Sequence, residues 1–434
     1  MSDLEDQLRD ALHRRAEATS ISSSSHQYPL TTRPRSRRAA LVVACVGAAT
    51  VTVGGLVALS NRTVEQTTNT AIATSTTEAT HVPVTASTTI AASTTIVVGR
   101  DWRTLATPPL SARDDAAVVW TGSQVLVWGG GSYNSAPFAD GAVYEPANDS
   151  WTIMPAAPLA ARHDPVSAWT GTEMVVWGGI DGAQLADGAA YNPAANTWRA
   201  IATAPLDGVA ATMASTVWTG TELIIWGGDD AAGQPRATGA AYNPSTDIWR
   251  SLAASPLLAR HEAATVWTGS EMVVWGGAPA EGGPGHAPFS DGAAYNPSTD
   301  TWRTIAVSPL AGRIAPAVWT GTEMLVVAGR NSDRDGMFAF GDGAAYDPAT
   351  DRWREVADGP AHPGFQATWT GEAMILFAKG GLFRYDPATD AWTDPDINQF
   401  PGQGRLLWTR RELILLGTTY TGTDVNAVLA AVTP

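Results

Sequence analysis

The chain has 434 residues, 44% of them hydrophobic, which is enough to build a sizeable core and argues against disorder as a whole. Its formal charge is −15, and because residues 1–38 hold seven Arg against five acidic residues, everything after them carries −17; a surface so acidic repels phosphate backbones and argues against a nucleic-acid partner. A single cysteine, Cys45, leaves no disulfide framework and no cysteine metal site, while 18 Trp and 42 Gly against 16% charged residues favour short strands joined by tight turns.

The first segment, "MSDLEDQLRDALHRRAEA", spaces Leu4, Leu8 and Leu12 four apart and sets Glu5 three residues after Ser2 as a capping box. Its acids precede Arg14 and Arg15, in the order a helix dipole favours. A short amphipathic helix is expected, offering its face to a cytoplasmic partner or the inner leaflet, or else fraying as a marginal helix on an unstructured tail. Ala39 to Leu59 then runs 21 residues without a charge, about the ~20 a helix needs to cross a bilayer. Arg33, Arg35, Arg37 and Arg38 stand before it and only Arg62 follows closely. The positive-inside rule therefore puts residues 1–38 in the cytoplasm and the rest outside, as a single-pass plasma-membrane protein. A cleaved signal peptide is the competing reading, although its leader would be long and its apolar stretch longer than usual. "VVAC" ending at Cys45 resembles a lipoprotein box, but the apolar run continues past it. Residues 60–98 are rich in Thr and Ser with few large apolar side chains, a composition that does not fold and reads as a disordered stalk.

Residues 99–434 repeat. "WTG" or a close copy begins at Trp120, Trp169, Trp218, Trp267, Trp319, Trp369 and Trp408, at steps of 49, 49, 49, 52, 50 and 39 residues, and periods of about 40 to 50 point to propeller blades. Each unit holds four strand-like runs, such as "ARHDPVSAWT", "EMVVWGG", "DGAAYNPAANT" and "WRAIA", separated by turn signals. The expectation is an all-β, seven-bladed propeller. Because Trp102 precedes any complete unit and the last unit stops at its third strand, the N-terminal strand is expected to close the last blade and remove the open edge.

Glycine pairs after an apolar strand (Gly129 and Gly130, Gly178 and Gly179, Gly227 and Gly228, Gly276 and Gly277) precede a spaced Tyr and Trp, as at Tyr191 and Trp198. In these features the repeats resemble the Kelch type, as in galactose oxidase and bacterial sialic acid mutarotases. The resemblance covers about Asp101 to Pro434 and weakens in the last three units, where Ala328 stands before Gly329, Lys379 precedes Gly380 and Gly381, and only Gly417 remains in the last. The copper site that galactose oxidase would imply needs a Tyr cross-linked to Cys, and this region has no Cys, so no copper is expected. No catalytic set of the mutarotases can be matched.

Arg113, Arg162, Arg260 and Arg313 open the innermost strands, and Asp140, Asp187, Asp291 and Asp342 precede the third strands of the same four units. Blade three loses both, with Asp207 and Thr238 in their places. This joint loss predicts Arg–Asp bridges within blades, with the glycines clearing the way. The rival reading is a ligand site at the channel mouth, built from Arg113, Asp114, Arg162, His163, Asp164, Arg260, His261, Glu262 and Arg313. Phe138, Phe289 and Phe340, with Leu185 in blade two, stand two residues before the Asp, either as a stacking rim for a ligand or as apolar feet pinning each loop. "NSDRDGMFAFGD" sets Asn331, Asp333, Asp335, Met337 and Asp342 at ligand positions of a calcium-loop pattern, though without the usual terminal Glu.

The functional expectation is a bacterial cell-surface protein displaying its propeller as a binding module for an extracellular glycan or protein. The alternative is an extracytoplasmic carbohydrate-active enzyme, epimerase- or mutarotase-like, using His and carboxylate groups at the mouth.

Overall fold

The computed structural model describes residues 103–432 apart from 132–135, 207–212, 231, 281–286, 334–335, 362–365, 379–380, 394–401 and 420–426. The tail helix, the apolar segment 39–59, the stalk and Trp102 lie outside the described residues. Among the described residues no helix is long and apolar enough to cross a membrane.

The repeats form a β-propeller. Blade one is Ala117–Trp120, Val125–Trp128, Gly141–Glu145 and Ser150–Ile153, hydrogen-bonded in that order as an antiparallel sheet. Five more sheets repeat the plan, each from one contiguous stretch, ending with Gln366–Trp369 to Ala391–Thr393. The repeat count predicted seven such blades; the self-contained ones number six. The seventh repeat lacks a fourth strand of its own and makes a composite sheet instead. There Arg103–Thr104 pairs with Ala427–Val432, followed by Leu413–Thr419 and Gly402–Trp408.

Strand chemistry sets the packing. Second strands such as Met174–Trp177 are buried along their whole length, so they read as unbroken apolar runs. Successive side chains face opposite neighbours. Met174 and Val176 pack toward blade one with Ala117 and Leu126, while Val175 and Trp177 pack toward blade three with Leu223 and Ile225. The composite sheet joins the ring in the same way: Ile414 and Leu416 meet Val125 and Tyr144 of blade one, and Leu406 and Leu415 meet Ile375 of blade six.

A polar staple repeats between blades. The Asp or Asn two residues before each outer-strand Trp sits in the left-handed region, for example Asp300 at φ 51. Asp300 Oδ1 accepts from Tyr295 Oη at 2.6 Å within its blade and from the Ala253 N–H of the preceding blade at 2.9 Å. Trp302 Nε1 then donates to Ala253 O at 3.1 Å. The same set fastens the composite sheet, through Ala106 N to Asp149 at 2.9 Å and Trp151 Nε1 to Ala106 O at 2.9 Å.

Candidate functional site

At the end where inner strands begin, the four Arg–Asp bridges form within blades. Arg162 donates to both carboxylate oxygens of Asp187 at 2.8 and 3.2 Å, Arg260 to Asp291 at 2.8 and 3.2 Å, and Arg313 to Asp342 at 2.6 and 3.1 Å. Arg113 reaches Asp140 through Nη1 alone at 2.9 Å, and its buried Nη2 has no partner among the described residues. Each guanidinium also donates to the carbonyl ending the second strand's run, such as Gly178 O at 2.9 Å. These arginines retain between 0% and 7% of their surface, so they act as internal fasteners, with Arg113 Nη2 the one donor among them left unused within the described residues.

The phenylalanines complete the fastener. Phe138, Phe289 and Phe340 lie 4.4, 4.1 and 3.8 Å from the guanidinium carbon of Arg113, Arg260 and Arg313. They pin their loops by cation–π contact, which accounts for them without a ligand. In blade three Arg236 takes the aromatic place and bonds Asp230 at 3.4 Å. Its carbonyl still accepts from Arg260 N at 3.2 Å, so the backbone link survives the loss of the side-chain lock.

The glycines clear the arginine's way in part, since a Cβ on Gly179 would stand 3.3 Å from Arg162 Cδ, and they do more besides. A Cβ on Gly129 would stand 2.9 Å from the carbonyl oxygen of Arg162 in the next blade, and one on Gly179 would stand 2.8 Å from His163 O. They make room for neighbouring backbone, and both sit at positive φ.

The titratable candidates do not converge on one pocket. His261 Nδ1 lies 2.9 Å from Asp229 Oδ1 of blade three, with His261 only 8% exposed. Glu262 accepts from Arg330 of blade five at 2.9 and 3.1 Å. Both pairs cross between blades. Asp114 is half-buried in a backbone bridge with Gly131. One group stays open, around Asp115, His163, Asp164 and Arg405. Asp115 and Asp164 occupy equivalent positions on adjacent blades, both left-handed at φ 53 and 54, and Asp164 N donates to Asp115 O at 2.8 Å. His163 Nδ1 lies 3.1 Å from Asp164 Oδ2. Asp115 keeps an exposed surface, but the protein crowded around its carboxyl pushes it above the usual carboxylate range, with Asp164 and Asp114 adding to it against His163 and Arg405. Arg405 comes from the innermost strand of the composite sheet; surrounding protein pushes its pKa down, against Asp115 and Asp164, yet it is exposed by area. A side chain facing an open channel is ringed by protein and still wet.

Arg405 was missed from sequence, although a signal existed. Three residues before the WT pair, the other repeats carry Ala117, Val166, Ser215, Ala264, Pro316 and Gln366, so a lone Arg breaks an otherwise uncharged row. The segment 330–339 is a hairpin, with Arg330–Asp333 paired to Gly336–Ala339. Asp335 and the side chains of Asp333 and Met337 lie outside the described residues, and the Asp342 oxygens are taken by Arg313. Among the described residues no group of three or more His, Cys, Asp or Glu is placed to hold a metal ion.

No protein-family model and no curated protein matches this chain. The reading of its function therefore rests on the chain's own residues.

Proposed function

We propose that the chain displays its propeller as a binding module for an extracellular glycan or protein, held to the plasma membrane by residues 39–59 with residues 1–38 in the cytoplasm. The repeats are read as Kelch-type, because the paired glycines of blades one to four and the recurring Tyr and Trp hold structural roles, and the composite sheet as the seventh blade. One observation carries the binding reading: apart from the corner at His163 and Asp164, the charged candidates spend themselves on one another, as Arg on Asp, His261 on Asp229 and Glu262 on Arg330. A propeller's fold alone does not choose between binding and catalysis, so this pairing matters. The test is twofold. Protease added to intact cells should remove the propeller and spare an epitope in residues 1–38, and a glycan array with the full chain should give saturable binding. Protection of the propeller would refute the topology.

The open corner supports a second reading. Asp115, whose carboxyl is pushed above the usual carboxylate range, lies next to Asp164, so two carboxyls stand side by side where proton transfer on a sugar could use them. Interconversion of sugar anomers, followed by NMR exchange, should then vanish in Asp115→Asn and Asp164→Asn. Equal exchange in wild type and variants would remove catalysis from consideration.

A further inference from the structure

The far end of the inner strands carries a feature that charge pairing does not explain. Every inner strand ends on tryptophan, from Trp120 in blade one to Trp408 in the composite sheet, and all seven are half-buried. Each packs on the apolar cluster between two blades, as Trp267 does between blades three and four, and keeps the rest of its surface open. Trp218, Trp267, Trp319 and Trp369 together line an open cavity of about 350 Å³ along the inner strands of blades three to six, joined by Thr216 and Thr265 among others.

Four properties of this cavity restrict what it can hold. Its lining is Trp, Val, Ala and Thr, with no ionisable side chain, so a charged ligand would leave water for a place without a countercharge. The indole N–H groups of those four tryptophans neither donate within the described residues nor are buried without a partner, so they remain open to water. Trp226 and Trp275, one strand further out, donate to Ala237 O and Ser290 O at 3.2 and 3.0 Å. Thr265 Oγ1 donates to Ser215 Oγ at 2.7 Å and Thr216 Oγ1 to Ala214 O at 3.4 Å, which spends their protons and leaves oxygen lone pairs. The inner strand is also the edge of its sheet, so one row of backbone N–H and C=O faces the axis. A purely apolar ligand would leave these donors and acceptors unmatched.

Flat apolar faces, free donors, hydroxyl acceptors and no net charge together match one chemistry, and we propose that the cavity is a binding site for a neutral saccharide, taking a pyranose ring or the end of a disaccharide. The proposal rests on the glycan-binding reading above and gives it a place, at the tryptophan end of the channel and not at the Asp115–Asp164 corner. The indoles stack on the sugar's C–H faces.

The test uses the full chain in detergent, labelled with 5-fluorotryptophan, and titrated with cellobiose, maltose and chitobiose; inorganic phosphate and tetramethylammonium serve as anionic and cationic probes. The fluorine resonance of Trp267, assigned through Trp267→Phe, should shift saturably with at least one disaccharide and with neither ion. Trp267→Ala should weaken that affinity by about tenfold or more, the loss of one stacking face. If that variant fails to fold, the fluorine shift in the unmutated protein decides alone. A shift with tetramethylammonium alone, or none with any disaccharide, overturns the assignment. Disaccharide binding lost in Asp164→Asn and kept in Trp267→Ala would overturn it too, while leaving the binding-module reading standing.

Discussion

A guanidinium with none of its surface in water is tolerable only while every bond it makes is kept. Arg313 holds Asp342 and the Ala328 carbonyl, and Arg313→Ala would leave a carboxylate and a carbonyl half-buried without their donor. Breaking one side of a buried pair costs about 3–5 kcal/mol. Arg354 supplies the control, since it makes an equally short contact to Glu323 at 2.7 Å but is 43% exposed, and Arg354→Ala should cost about 1 kcal/mol or less. Urea midpoints measure both, and equal losses would mean that the Arg–Asp fasteners do not carry the stability argued for them. Arg313→Lys should recover little, because an ammonium cannot bridge both carboxylate oxygens. The interblade staples make a prediction in pH. Bonds from Tyr295, Tyr346 and Tyr385, then from backbone N–H, hold Asp300, Asp351 and Asp390 below the usual carboxylate range, while burial pushes the Tyr295 and Tyr346 phenols up to about 12 and keeps them protonated donors. A depressed folded pKa gives stability that is present above the unfolded value, about 3.9, and lost as pH falls through the folded one. Tyr→Phe at all three positions should lower stability more at pH 7 than at pH 3 and so narrow the gap between the two urea midpoints. An unchanged gap would remove the staples from the acid response.

At the scale of the strand and its turn, the glycine after each second strand decides whether blades can approach. Gly130 has φ 82, and a Cβ there would stand 2.5 Å from Asp114 O, so Gly130→Ala meets backbone strain and a clash together. Its cost should exceed the ~1 kcal/mol of an ordinary Gly→Ala change at positive φ. Gly171→Ala, at φ 98 with open space around its would-be Cβ, isolates the strain alone and should cost less by thermal melting. The two glycines look alike in the sequence, which shows where legibility stopped. Strand order within a blade, and the Arg162–Asp187 pair, could be read because both partners sit in one repeat and disappear together in blade three. The staples could not. Trp302 reaches Ala253 across 49 residues, nearly one repeat length, and in a chain where every position has a copy about 49 residues away, no pattern tells a contact within a blade from one to its neighbour. For the same reason the sequence leaves His261 and Glu262 as candidates for a site at the mouth, when their partners Asp229 and Arg330 belong to the blades on either side. Arg405 was overlooked because it stands in the repeat that departs furthest from the others.

At the scale of the whole ring, stability depends on a short ladder. Six blades are complete in themselves, while the composite sheet holds its outer strand by the register Arg103 to Ala431 and Thr104 to Ala430. That strand gains further hold from Leu105, 4% exposed between the composite sheet and blade one, and from Ala106, which binds Asp149 and Trp151. If the ladder is the latch, covalently fixing it should stabilise the whole domain and not one sheet alone. Two double variants test this: Arg103→Cys with Ala431→Cys, and Thr104→Cys with Ala430→Cys. Directly opposite antiparallel residues alternate between a wide and a narrow spacing, about 5.5 and 4.5 Å between Cα atoms, and both fall within the range a disulfide spans. Closing a loop of this length removes about 6 kcal/mol of unfolded-chain entropy in the simple polymer account. Oxidised protein should therefore melt several degrees higher than the same protein under reductant, in a single transition seen equally by Trp fluorescence and far-UV circular dichroism. Failure of both pairs to cross-link under mild oxidation would show that the first and last strands are not neighbours, and the channel, with the cavity at its tryptophan end, would lose the ring that encloses it.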